Sequence, residues 1–75
     1  METLNHILIF KTNIATTAAR QQIATVLDMH PLIAQWTVDL MDVDCVLRVV
    51  SYHLSPADVI AIVARYNYEC TELTD

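Results

Sequence analysis

Two helical patterns, each set between β-rich runs, constrain the fold of this 75-residue chain more than any other feature. In residues 18–29, apolar side chains recur at the three- and four-residue spacing of an amphipathic helix, and Thr16 and Thr17 before them are candidate N-caps. His30-Pro31 ends this helix, because proline disfavours helical backbone in the residue before it. Ser55-Pro56-Ala57-Asp58 predicts the start of a second helix, with serine as N-cap and proline at the first helical position.

The segments around these helices are β-branched, aromatic or alternately apolar and polar, as strands are. They are residues 6–14, 33–40, 45–52 and 68–73. Asp42-Val43-Asp44 predicts the turn of a hairpin between the second and third strands. Strand, helix, strand, strand, helix, strand is the order of the ferredoxin-like, or split-βαβ, arrangement. We therefore expect residues 1–75 to form a single α+β domain, a ferredoxin-like βαββαβ sandwich with a four-stranded antiparallel sheet. Its first and third strands should be central, and both helices should lie on one face.

Glycine is absent from the chain, which restricts how its turns can be made. Backbone with positive φ must then be supplied by residues such as asparagine and aspartate, or by strained side chains. Asn67, just after the second predicted helix, is suited to a left-handed cap.

The charge balance argues against several classes of partner. Four basic residues face nine acidic ones, giving a formal net charge of −5. Without a basic stripe to neutralise phosphates, we expect neither nucleic-acid binding nor docking on anionic membranes. The apolar runs are too short to span a bilayer, and residues 1–5 are acidic and polar, unlike a signal peptide. These features together predict a cytoplasmic protein.

Four segments of the chain are similar to those of one known family. They are LIFKTNI at residues 8–14, AQWTVD at 34–39, VLRV at 46–49, and the second predicted helix with its following aromatic at 55–68. In this order they resemble the first three strands, second helix and last loop of the heavy-metal-associated domain, particularly its small copper-chaperone-like members. The resemblance covers nearly the whole chain and implies the same fold.

That family binds soft metals such as Cu(I) through a CxxC motif just after the first strand, where the helix N-terminus favours thiolates. With Thr12-Asn13-Ile14 aligned to the family, Thr16 and Ala19 occupy the two cysteine positions. A hydroxyl is a poor ligand for a soft metal and a methyl group is none. The resemblance therefore implies a degenerate member without the Cu(I) site. Tyr68, which matches the aromatic of the last loop, is the remnant of that site.

Substitute metal ligands are an alternative. Cys45 and Met41 could form a makeshift soft site near the former metal end. At the opposite end of the predicted sheet, His6, His30 and His53 could bind zinc or could be unrelated residues at element ends. Three aspartates crowd the predicted hairpin and could hold a divalent cation or simply form a solvated turn. They are Asp39, Asp42 and Asp44.

Nothing in the sequence indicates catalysis. A glycine-rich phosphate loop and a nucleophile elbow are both missing, and Cys70 with a histidine is the only nucleophile–base candidate. Both cysteines are more simply interpreted as small buried thiols. We expect a non-enzymatic protein that carries no cofactor.

The helix-free face of the predicted sheet suggests an interaction surface. Strand alternation assigns four β-branched residues to this face, flanked by Lys11 and Arg48. They are Ile7, Ile9, Val46 and Val50. This strip reflects either β-propensity alone or an interface with a protein partner or a second copy. The favoured hypothesis is a non-catalytic heavy-metal-associated-like domain that acts through protein contacts or self-association. The alternatives are metal binding by substitute ligands and an ACT-like module that binds a small regulatory molecule.

Overall fold

The computed structural model describes residues 6–73. In chain order the elements are β1 (Ile7–Thr12), α1 (Thr17–Met29), β2 (Gln35–Val38), β3 (Leu47–Val50), α2 (Pro56–Ala64) and β4 (Cys70–Glu72). This order confirms the one predicted from the sequence. The segment 1–5, which we expect not to be a signal peptide, lies outside the described residues.

The strands form one open, antiparallel sheet in the order β2-β3-β1-β4. β1 and β3 are central, as predicted, and Ile7 pairs with Val50 while Phe10 pairs with Leu47. β2 and β4 are the edge strands. The chain is therefore an α+β protein with a four-stranded antiparallel sheet and two helices. None of the helices formed by residues 6–73 is long and apolar enough to cross a membrane.

Both helices begin where local chemistry predicts, and α1 also ends there. The Thr16 hydroxyl accepts a hydrogen bond from the Ala19 N–H at 3.0 Å and caps α1. α1 stops at His30, whose backbone is extended (φ −78°, ψ 120°) before proline. Ser55 and Asp58 cap α2 reciprocally, in a capping box. Hydrogen bonding to Ser55 lowers the pKa of the Asp58 carboxyl. The Ser55 backbone N–H has the larger effect and its hydroxyl the smaller one.

The strands are shorter than predicted, and β2 shows why. β2 was expected to continue through residue 40 but ends at Val38. The Asp39 carboxylate accepts the Met41 N–H at 3.0 Å, and the Asp42 carboxylate accepts the Asp44 N–H at 2.7 Å. These carboxylates accept hydrogen bonds from backbone N–H groups that a neighbouring strand would otherwise bind, and they thereby stabilise a turn.

Two residues with left-handed backbone take the place that glycine commonly fills. Asn67 has φ 70°, which confirms it as the left-handed residue after α2, and Cys45 has φ 45°. The hydroxyl of the buried Thr12 donates to the Cys45 carbonyl at 2.7 Å and accepts the Ile14 N–H at 3.2 Å. This bond holds the left-handed backbone of Cys45 against β1, and β3 therefore begins only at Leu47.

One core cluster joins the sheet to both helices. α2 ends at Ala64, so Tyr66 lies beyond the helix and is 41% exposed. The fully buried members of the cluster are Phe10, Ile14, Ile23, Leu27, Leu47, Val49, Val59 and Val63. They come from the central strands, from both helices and from the loop after β1, so the helices share one face of the sheet.

Ser51, just after β3, is a buried polar residue at the end of the sheet opposite Cys45. Its hydroxyl donates to the Leu32 carbonyl at 2.7 Å and accepts the N–H groups of His53 and Leu54. One side chain thus satisfies three backbone groups and ties the segment before β2 to the segment before α2.

Candidate functional site

The two positions that hold cysteines in the heavy-metal-associated family lie at the start of α1. Here Thr16 and Ala19 are joined to each other, because the Thr16 hydroxyl accepts the Ala19 N–H. Thr16 is exposed, whereas Ala19 is half-buried and packs against the core. The pair therefore acts as a helix cap and offers no soft ligand.

Tyr68 connects the segment before β4 to the first helix. Its ring is half-buried against the core, and its hydroxyl donates to the Gln22 side-chain oxygen of α1. Tyr68 is thereby fixed close to the helix whose N-terminus carries Thr16. These contacts are structural ones, between the last loop and α1.

The three histidines each have separate surroundings. His6 packs against Tyr52 with ring centroids 4.1 Å apart and the rings tilted by 50°, and the Nδ1 atom of His30 accepts the Leu32 N–H at 3.1 Å. His53 is exposed. Within residues 6–73, no three histidine, cysteine, aspartate or glutamate side chains form a group that could hold a metal ion. His6 and His53 also lie just outside β1 and β3 rather than within them, because both strands are shorter than predicted.

The other proposed ligands lie in the β2–β3 loop, which we define as residues 39–46. Cys45 is buried, whereas Met41 is 94% exposed, so this thiol and thioether occupy opposite environments. Asp39 and Asp42 use carboxylate oxygens to hold the loop backbone, and Asp44 lies 3.8 Å from the Lys11 ammonium. The aspartates therefore serve as turn formers.

Cys70 in β4 is a buried thiol. Burial raises its pKa to about 11, from the ordinary value of 9.0. The nucleophilic thiolate is consequently suppressed at neutral pH, which argues against a catalytic role.

The raised pKa of Cys70 predicts a pH-dependent stability. The folded state keeps the thiol proton up to about pH 11, whereas the unfolded state releases it near 9.0. Deprotonation therefore favours the unfolded chain, and stability should fall as pH rises from about 9 to about 11. Urea unfolding across this range should show a steeper loss for wild type than for Cys70→Ala. Equal slopes for the two proteins would contradict the prediction.

The outer face is the side of the sheet opposite the core. It is formed by alternate residues of the four strands. They are Ile7, Ile9 and Lys11 of β1, Arg48 and Val50 of β3, Gln35 and Thr37 of β2, and Thr71 of β4. Ile7 lies directly opposite Val50, and Ile9 opposite Arg48. Neither helix covers this side of the described sheet.

The predicted interface residues meet only in part. Ile7, Ile9 and Val50 share the outer face, and Ile7 is 40% exposed. Val46, the fourth, precedes β3 in the β2–β3 loop and is only 7% exposed. It adds little to any surface that a partner could contact.

A shallow depression of about 150 Å³ lies on the outer face and was not anticipated from the sequence. It is lined by Ile7, Gln35, Trp36, Thr37, Arg48 and Val50. Strand alternation could have indicated Gln35 and Thr37, but not their pairing with Val50 and Arg48. The depression combines an apolar floor with one guanidinium group.

Trp36 fixes the edge strand that borders this depression. Its indole N–H donates to the Asp28 carboxylate at 2.7 Å, and the Arg20 guanidinium lies 5.1 Å from its ring centroid. Both partners belong to α1, so the tryptophan attaches β2 to the helix layer.

Comparison with known proteins adds no assignment. No known family model matches this chain, and no curated protein is significantly similar to it in sequence. The resemblance to the heavy-metal-associated domain therefore rests on the four segments quoted above.

Proposed function

We propose that this chain is a non-catalytic protein-interaction domain of degenerate heavy-metal-associated type. It no longer binds Cu(I), it carries no resident cofactor, and it acts in the cytoplasm through the outer face of its sheet. The observation that carries this proposal is the alignment of Ile7, Ile9 and Val50 across two central strands on the side opposite the helices. The partner is a protein or a second copy of the chain.

The ferredoxin-like fold and the kinship are part of the proposal. Followed from the β4 edge, the sheet has the order β4-β1-β3-β2, with the first and third strands central. This order and the one-sided core are what a split-βαβ arrangement requires. They support the family resemblance, which the sequence segments suggested independently.

The loss of copper binding is supported by the start of α1. A soft cation needs thiolates, and the equivalent positions carry the Thr16 hydroxyl and the Ala19 methyl group. The hydrogen bond from the Ala19 N–H to the Thr16 hydroxyl makes these positions a helix cap. The net charge of −5 disfavours nucleic acid as the partner and supports a protein partner instead.

The physical basis for an interface is the cost of leaving apolar strand residues in water. Burying their surface in a stacked sheet recovers about 25 cal/mol per Å² of apolar area. Lys11 and Arg48 on the same face would orient a partner through charge.

The substitution Ile9→Lys tests the outer face directly. A lysine opposite Arg48 adds a third cation to the outer face, beside Arg48 and Lys11, so it should abolish self-association. Sedimentation velocity from about 10 µM to about 1 mM should show a concentration-dependent dimer for wild type and a monomer for Ile9→Lys. Gln21→Lys, at an exposed position of α1, makes the same charge change away from the face and should behave like wild type.

Native mass spectrometry of the reduced protein, with and without Cu(I) and Zn(II), completes this test. A metal-free dimer supports the proposed function. A wild-type monomer at every concentration, with the solubility of Ile9→Lys unchanged, would contradict it. One tightly held metal per chain would instead favour metal binding by substitute ligands.

A further inference from the structure

The β2–β3 loop exposes two apolar side chains to an unusual degree. Met41 and Val43 are each 94% exposed, and three aspartates lie between and beside them. Such side chains at the tip of a loop contribute nothing to the core of the same chain. They therefore lack a structural reason to be apolar.

The loop is held in a defined shape. The carboxylates of Asp39 and Asp42 each accept a hydrogen bond from a backbone N–H two residues further along the chain. The Thr12 N–H donates to the Asp44 carbonyl at 3.0 Å, and the Cys45 N–H donates to the Asp42 carbonyl at 2.9 Å. Because the loop is already ordered, binding through its tip would lose little conformational entropy.

The depression extends along the sheet from near the loop to the far end. The loop leaves the sheet next to the pair Val38 and Leu47, and the lining of the depression runs from the adjacent pair Thr37 and Arg48 to Ile7 and Val50. Four residues of extended chain, from position 46 to position 50, place the Ile7–Val50 end about 13 Å from the loop. The hydrogen bonds of the loop hold it away from that far end in its own chain.

The charges of the two regions are complementary. Arg48, one of the four basic residues, lies on the outer face and lines the depression. The loop contributes three carboxylates, and among the described residues only Asp44 has a cation of its own chain nearby, the Lys11 ammonium at 3.8 Å, so the loop keeps an excess of negative charge. A surface that carries both members of a complementary pair is suited to bind a copy of itself.

The size of the sheet also calls for a second contact. Four strands of up to six residues present a face of about 400 Å², given strand spacings of about 4.8 Å and a rise of about 3.4 Å per residue. A stable complex buries about 800 Å² on each partner. The outer face alone offers about half of that area, which suits a weak dimer, and a contact from outside the strands would strengthen it.

Building on the proposed function, we propose that the β2–β3 loop of a second copy occupies the depression. The two copies form a two-fold dimer in which the outer faces stack. Each strand of one copy runs opposite to the equivalent strand of the other, so the loop end of one sheet lies over the Ile7–Val50 end of the other. Met41 and Val43 of each copy then contact the apolar floor of the other, and the aspartates lie near its Arg48. The opposite choice, strands in the same direction, would bring six loop carboxylates together, which like-charge repulsion disfavours.

Two sets of variants test this dimer. The double substitution Met41→Ser with Val43→Ser removes the apolar tip at exposed positions and should weaken dimerisation about tenfold or more. Arg48→Asp and Asp44→Arg should each weaken it similarly, and combining them should restore most of the wild-type affinity. Lys11→Gln removes the ion pair that Asp44 makes within its own chain and measures that effect separately. Sedimentation equilibrium gives the dissociation constants, with Arg65→Asp and Glu69→Arg, at exposed positions outside the loop and the depression, as controls of equal charge change. Far-ultraviolet circular dichroism verifies that each variant is folded.

The outcomes separate this inference from the proposed function. Weakening by the loop variant together with rescue by the charge exchange supports the loop-in-depression dimer. If Ile9→Lys dissociates the dimer while the loop and charge variants keep wild-type affinity, the inference is wrong and the outer face remains the interface. A monomeric wild type overturns the inference, and unchanged solubility of Ile9→Lys in that case removes the proposed function too. Should the loop variant fail to fold, the charge exchange decides alone.

Discussion

Leu47→Ala is expected to destabilise the folded chain by about 2–5 kcal/mol, the usual cost of emptying a buried leucine site. Leu47 is fully buried on the central strand β3, with Phe10 opposite it on β1 and Val38 opposite it on β2. Its removal leaves a cavity with strands on both sides, where paired backbone cannot easily move inward.

The expected loss is large relative to the whole stability. A chain of 75 residues typically has a free energy of unfolding of about 4–11 kcal/mol. Leu47→Ala can therefore remove about half of the stability, and the melting temperature should fall by about 10 °C or more.

Urea unfolding followed by tryptophan fluorescence measures this effect. Trp36 is the only tryptophan and lies between the Asp28 carboxylate and the Arg20 guanidinium, so its emission should change on unfolding. Leu32→Ala is the matched control: Leu32 is 40% exposed, and its truncation should cost well below 2 kcal/mol. Equal losses for Leu47→Ala and Leu32→Ala would show that the core is not centred on β3.

Helix limits could be predicted from the sequence because they depend on neighbouring residues. Thr16 and Ser55 cap helices through hydrogen bonds that span three residues, and His30 is extended because Pro31 follows it. Strand limits depend on partners that are distant in the chain. The early end of β2 at Val38 comes from carboxylate-to-backbone bonds that compete with pairing, and alternation cannot reveal that competition.

The candidate surface could be predicted in part, from the alternation of side chains along each strand. Alternation alone places Ile7, Ile9 and Val50 on one side of the sheet. The burial of Val46 could not be foreseen, because it depends on the path of the β2–β3 loop. The depression likewise depends on the register between β2 and β3. The hydrophobic pattern determines which side chains face the core, but it does not determine which residues of the two strands are paired.

The second large effect is a gain of metal binding. The double substitution Thr16→Cys with Ala19→Cys is expected to create a Cu(I) site in a chain that we propose binds none. The two positions are three residues apart at the start of α1, and the existing bond from the Ala19 N–H to the Thr16 hydroxyl brings the two residues together in the first turn. Two thiols here would form the CxxC motif that the family resemblance implies was lost.

The surroundings of the new thiols favour their ionised form. Unpaired N–H groups and the helix dipole at the start of α1 stabilise thiolates, and the first turn of α1 contains no acidic residue to oppose them. The cost is the loss of the Thr16 cap, about 1 kcal/mol. The free energy gained by metal binding to two thiolates should exceed this cost, so Cu(I) should also raise the melting temperature of the variant.

Competition with a chromogenic Cu(I) chelator, with native mass spectrometry for stoichiometry, measures the site. One Cu(I) per chain is expected for the double-cysteine variant. Thr16→Cys with Ala19→Ser, which carries a single new thiol of the same geometry, should lose the metal to the chelator. Wild type controls for Cys45 and Cys70, both of which are buried.

This gain of function tests the geometry of the loop between β1 and α1, because both thiolates must reach one ion from the start of the helix. A double variant that folds but does not retain Cu(I) would mean that the loop between β1 and α1 differs from that of a heavy-metal-associated domain. The resemblance in the other segments would then reflect a shared fold without a shared site. Retention of one Cu(I) would indicate that two substitutions are sufficient to give this loop the soft-metal site that the resemblance implies was lost.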